Sequence, residues 1–121
     1  MFSITSARYF LYLEPTDMRK SFDGLCGLVS NKLGQNPMSG DLFIFVNKPR
    51  NRIKLLRWEP GGFVLFYKRL EKGTFHLPKQ AIANSKNQLL DYSQLVMIIN
   101  GISLEKAKKH SRFYQQKTVE N

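Results

Sequence analysis

Three apolar runs set close together constrain this chain more than any other feature: DLFIFV from Asp41, RIKLLRW from Arg52 and GFVLFYKRL from Gly62, with NKPRN and EPGG at the breaks. Aromatic and β-branched residues punctuated by Asn, Pro and Gly favour strands joined by tight turns, and the spacing predicts a three-stranded antiparallel meander. Leu42 to Val46 is apolar at every position, the pattern of a strand covered on both faces, so this run belongs at the sheet's centre. The second run is different. Arg52, Lys54, Leu56 and Trp58 share one parity, and Ile53, Leu55 and Arg57 the other. Basic side chains therefore leave both faces, or a bulge near Leu55-Leu56 switches the pattern.

Around this meander the remaining elements follow from periodicity and punctuation. RYFLYL at 8–13, closed by Glu14-Pro15, reads as a short strand. Thr16 or Asp17 then offers an N-cap oxygen to a helix carrying Met18, Phe22, Leu25, Val29 and Leu33 at intervals of three and four; Gly34 and Pro37 stop it. Gly24 and Gly27 inside that helix suggest close approach of another backbone. Thr74 to Leu77 reads as one more strand, ended by Pro78, and the polar stretch 79–91 as a linker. Ser93 to Ile99 suits about two helical turns, capped by Asp91 or Ser93 and stopped by Gly101. The predicted fold is α+β: an antiparallel β-meander of four to five strands packed against one main helix in a core domain 1–78, then a linker 79–91, a short C-terminal helix 92–103, and a basic, flexible tail 104–121.

A chain of 121 residues has the size of one compact domain. No apolar run exceeds the five residues of Leu42 to Val46, far below the roughly 20 that cross a bilayer, so we expect a cytoplasmic protein without a membrane partner. The single cysteine, Cys26, cannot form an internal disulfide and reads as a small buried thiol. Nineteen Lys+Arg against nine Asp+Glu leave a net charge of +10. Such a surface attracts polyanions, above all nucleic acid, whose phosphates release counterions when neutralised. The basic residues alternate with apolar runs rather than lining one face of a long helix, which disfavours an anionic membrane. A basic surface serving solubility alone is the alternative.

Catalytic chemistry is hard to assemble. His76 and His110 stand 34 residues apart without a ligand-spaced partner, so no metal is expected. The glycine-bearing turns EPGG and LEKG do not make a phosphate-cradling loop, and no serine sits in a strand-turn-helix elbow. Asp17, Asp23 and Asp41 are the candidate carboxylates for a metal-dependent nuclease; on a helix the first two would point about 240° apart. Asp17 as a helix cap and Asp23 as a partner of Lys20 or a nearby arginine is the simpler reading. A small ribonuclease using His76 or His110 is the remaining enzymatic alternative. We expect no catalytic residue and no cofactor.

What remains is the band holding Lys48, Arg50, Arg52, Lys54, Arg57, Lys68, Arg69 and Lys72 against Glu59 and Glu71. Trp58, Phe63, Phe66 and Tyr67 are interleaved with it. Arginines beside aromatics on a sheet can contact phosphates and stack bases, or the aromatics can fill the core. Phe63 and Phe66 suit the core; Trp58 and Tyr67 suit either role. With Arg19 and Lys20, the residues Lys48, Arg50, Arg52, Lys54, Arg57, Lys68 and Arg69 form the expected nucleic-acid surface. The same Trp58 and Tyr67, with the Leu95 to Ile99 helix, would serve as anchors if the chain instead docks on a protein.

Three stretches, PTDMRKSFDGLCGLV at 15–29, SGDLFIFVNKPRNRIKLLRWEPGGFVLFYKRLEKGTFHLP at 39–78 and YSQLVMIINGI at 92–102, resemble the TnpB-type accessory proteins of the insertion sequence 66 family. That family is unrelated to the RNA-guided nuclease sharing its name. The resemblance implies an opening strand, a helix bearing the DMRK motif, a β-meander and a C-terminal helix. It also implies a role in transposition with a larger transposase as partner, the protein on which those anchors would dock, and leaves the mechanism open; the element's own DNA is the partner that the basic surface suggests. The motif positions it carries over are Asp17, Met18, Arg19 and Lys20, and Trp58, Tyr67, Lys68, Arg69 and Leu70. The sequence departs from the common pattern at Ser21, where glycine is frequent, and at Glu59-Pro60-Gly61-Gly62, where an acidic-Gly turn is usual.

Overall fold

The computed structural model describes residues 7–101. The basic tail from 104, His110 and the last two positions of the expected 92–103 helix lie outside the described residues. Five strands and two helices follow in the order β1 (Tyr9–Tyr12), α1 (Phe22–Asn31), β2 (Leu42–Val46), β3 (Arg52–Glu59), β4 (Gly62–Arg69), β5 (Asn87–Leu90) and α2 (Tyr92–Ile99). All five strands form one sheet in the order β4-β3-β2-β1-β5. The fold is α+β, and β2 is its central strand, buried at every position.

β2, β3 and β4 are antiparallel neighbours in unbroken register, from Leu42 opposite Arg57 to Glu59 opposite Gly62. No bulge interrupts Leu55-Leu56, so basic residues of β3 do leave both faces. The sheet as a whole is not one antiparallel meander. β1 runs parallel to β2, with Tyr9 opposite Leu42, and α1 fills the crossover that parallel neighbours require. β5 pairs antiparallel with β1, Tyr9 opposite Leu90. It lies within the stretch 79–91 expected as a linker. Thr74 to Leu77 is not a strand; the Phe75 amide donates to the Arg50 carbonyl, 2.6 Å, and the buried Phe75 ring packs in the core.

Strand alternation divides the core into two layers. Phe10, Tyr12, Phe43, Phe45 and Leu56 face α1, whose Leu25 and Val29 complete that layer with Leu33. Tyr9, Leu11, Leu42, Ile44, Val46, Ile53 and Leu55 face the opposite way, against Leu95 and Ile98 of α2, Phe75 and Leu90. The second helix thus shares in covering the opposite sheet face through Leu95 and Ile98, where the sequence pointed to one main helix. Cys26 is half-buried beside the α1 layer, and burial first, then the nearby Asp23 carboxylate, pushes its thiol pKa up.

Both helices end as their glycines predict, Gly34 and Gly101 adopting positive φ of 65° and 72°. α2 begins with a reciprocal capping box: Asp91 accepts from the Gln94 amide at 2.8 Å, and Gln94 accepts from the Asp91 amide at 3.0 Å. α1 begins later than periodicity predicts. Its N-cap is Ser21, without a side-chain cap bond, and neither Thr16 nor Asp17 caps it. Gly24 and Gly27 do not meet another backbone: a Cβ on Gly24 would lie 3.1 Å from the Lys20 Cβ, and one on Gly27 would meet nothing within 4 Å.

Candidate nucleic-acid interface

The DMRK motif is a turn, held over the sheet by a lysine from beneath. Lys54, in the middle of β3 and 5% exposed, donates its ammonium to the carbonyls of Met18 (2.8 Å) and Lys20 (2.7 Å). A helix begun at Asp17 would give those carbonyls to amides four residues onward. Asp17 adds a second tie: its carboxylate accepts from the Arg19 amide at 2.9 Å and from the Arg19 guanidinium at 2.7 Å. The Thr16 amide donates to the Val46 carbonyl, 2.8 Å, which pins the turn to the end of β2. The Thr16 hydroxyl is buried without a partner among the described residues.

Across from this turn stands the β2–β3 connection. Asn47 organises it, its side-chain carbonyl accepting from the amides of Asn51 and Arg52, both at 3.0 Å, while its amide group donates to Asn51 at 2.7 Å. Arg50 takes a left-handed conformation, φ 60°, and together these constraints leave Lys48 and Arg50 exposed. Asn47 was not singled out in the sequence. An Asn shortly before a proline in a turn-rich stretch is the signal that could have found it.

Between the two connections lies a groove of about 490 Å³ lined by Pro15 to Arg19, Asn47 to Pro49, and Arg52. Arg19, Lys48 and Arg52 converge on it. Arg52 also lines a second hollow, about 200 Å³, with Tyr67 and Arg69. One guanidinium thus joins the two depressions along the α1 face of β3 and β4. Asp17 competes for Arg19: hydrogen bonding to the Arg19 side chain, then to its backbone, lowers the Asp17 pKa to about 2, so the carboxylate stays charged at neutral pH.

The remaining basic residues are placed differently. Lys54 presents its ammonium to backbone carbonyls and to the Tyr67 ring, 4.6 Å from the centroid, so it is a structural cation. Arg57 and Lys68 leave the opposite face. Arg57 donates to the Gly40 carbonyl at 3.1 Å, and Lys68 to the Ile99 carbonyl at 2.7 Å, satisfying the end of α2. Lys20 is exposed beside the motif turn, and Arg69 is exposed but paired with Glu71 at 2.7 Å. Asp23, expected to pair with Lys20, forms no ion pair among the described residues.

The aromatics separate in the same way. Trp58 is half-buried, edge-on to Phe63 with centroids 4.9 Å apart. Phe66 and Leu70 pack on the α2 layer and Phe63 on the α1 layer. Tyr67 is 46% exposed, and its hydroxyl accepts from Arg52 at 3.0 Å. Among the described residues no cluster of three His, Cys, Asp or Glu side chains could hold a metal ion. No helix among them is long and apolar enough to cross a membrane.

The uncharacterized protein y4jC of Sinorhizobium fredii is 35% identical over 71 residues, covering 59% of this chain and 61% of that protein's length. The uncharacterized protein y4hO of the same organism is 38% identical over 88 residues, 69% of this chain and 76% of its own length. No solved structure matches. The family model described as IS66 Orf2 like protein matches residues 7–109, nearly the whole chain, and this chain therefore belongs to that family of insertion-sequence accessory proteins.

Proposed function

We propose that the protein assists transposition by binding the element's own DNA along the α1 face of its sheet edge, beside the transposase and without performing a chemical step itself. The observation that supports this reading is the convergence of Arg19, Lys48 and Arg52 on one groove, continued through Arg52 to Arg69 and Tyr67. Arg50 and Lys20 flank it as exposed cations. Contacts of this kind go mainly to phosphate and position the protein without reading sequence. Arg57 and Lys68, engaged on the other face, are left out of the interface, and Lys54 supports it from below.

Fluorescence anisotropy against labelled element-end DNA and a scrambled duplex, across a salt series, tests this. With about five phosphates neutralised, log affinity falls with log salt at a slope of about −4 to −5. Preference for the element end would add site reading to the phosphate contacts. Absence of binding to either DNA would overturn the proposal in favour of docking on the transposase, with exposed Tyr67 as the anchor and Trp58 as its packed neighbour on the sheet.

A further inference from the structure

Arg52 and Arg69 stand directly opposite each other on β3 and β4. Like charges in directly opposed sheet positions destabilise the pairing. Of the two, only Arg69 has an acidic partner among the described residues, Glu71; Arg52 turns to the Tyr67 hydroxyl. The hollow beside them, about 200 Å³, is lined among the described residues by Arg52, Tyr67 and Arg69, and β4 is the outermost strand on that side of the sheet. Two guanidiniums facing one open hollow are suited to an anion that neither Glu71 nor Tyr67 supplies to both.

The aromatic partner is equally selective. Trp58 and Phe63 are committed to each other, while Tyr67 keeps 46% of its surface in solvent. Its ring is steadied by the Lys54 ammonium and its hydroxyl by Arg52. An aromatic ring fixed beside cations can stack a planar base, but only one that has left its own stack. In a duplex the faces of each base are covered by its neighbours. Phosphate contacts can be made to either form of DNA; stacking on an available ring needs an unpaired base.

We propose that this hollow binds one unpaired nucleotide of single-stranded DNA, with the base on the Tyr67 ring and its phosphate between Arg52 and Arg69. The adjoining strand then runs past Arg52 into the groove of Arg19 and Lys48. This rests on the DNA-binding reading above and narrows it to the single-stranded form.

Anisotropy with a short labelled single strand and with the blunt duplex of the same sequence, at equal ionic strength, tests the assignment. Wild type should bind the single strand about tenfold or more tighter than the duplex. Tyr67→Ala should weaken single-strand binding by about 5- to 150-fold, the range of one base–aromatic stack, and weaken duplex binding by a clearly smaller factor. Tyr67→Phe keeps the ring and should retain single-strand affinity within about threefold. Circular dichroism of each variant confirms that it is folded. Tighter duplex binding by wild type, or equal loss on both DNAs in Tyr67→Ala, overturns the single-strand assignment while DNA binding stands. Absence of binding to both forms overturns the DNA-binding reading beneath it.

Discussion

Lys54 sits where a sheet normally holds an aliphatic residue, and an ammonium removed from water must find hydrogen-bond partners or lose its charge. The carbonyls of Met18 and Lys20 supply them, so one side chain anchors the family's motif turn to the middle of β3. Lys54→Met would leave both carbonyls without that donor and should destabilise the fold by about 2 kcal/mol, read by urea denaturation. The salt slope of DNA binding should stay unchanged in the same variant, because its charge does not face the groove. Sequence parity placed Lys54 on the correct face beside Arg52, but a count of charges carries no information on which ammonium points outward.

Asp41 shows a second such commitment. It opens β2, is nearly enclosed, and accepts from the Arg8 amide (3.1 Å), the Arg8 guanidinium (2.8 Å) and the Ser39 hydroxyl (3.0 Å). Burial works to raise its pKa, but hydrogen bonding to Arg8 and Ser39 outweighs burial and holds it below the ordinary value. A carboxyl depressed in the folded state stabilises fully above its unfolded pKa of about 4 and loses that contribution as pH falls through the folded value. Asp41→Asn should therefore cost about 1 to 2 kcal/mol at pH 6, and the gap to wild type should shrink as pH falls below 4, seen in denaturation midpoints.

Among the elements, legibility followed the strength of local signals. β2, β3 and β4 lie where their apolar runs and intervening turns predicted, because aromatic and β-branched density sets strand position directly. α2 and its Asp91 cap were equally readable. Asp91→Ala removes one half of the capping box and should cost about 1 kcal/mol, measured as a fall in thermal midpoint. β5 was missed because NQLL carries only Leu89 and Leu90 as apolar residues, and of these only Leu90 is buried. What makes it a strand is the free edge of β1, a tertiary cause. The start of α1 was misplaced for a similar reason: Met18 has helical spacing with Phe22 and Leu25, yet its carbonyl is claimed by Lys54. The groove was legible only in part. Arg19, Lys48 and Arg52 were named, but their meeting depends on how the motif turn crosses the end of β2.

At the scale of the whole molecule, β1 is enclosed by partners from distant parts of the chain, Tyr9 opposite Leu42 on one side and Leu90 on the other. The two strands bearing the arginine hollow, β3 and β4, are by contrast consecutive, and pairings between neighbours in sequence close short loops that form quickly. During synthesis the chain must extend through Leu90 before both edges of its opening strand can be covered. The meander can pair once β4 is free of the ribosome. The hairpin that aligns Arg52 with Arg69 is thus available to nascent chains before the scaffold closes around β1, and a chain whose emerged part ends within residues 71–86 would hold out the hollow's three side chains on an unfinished sheet.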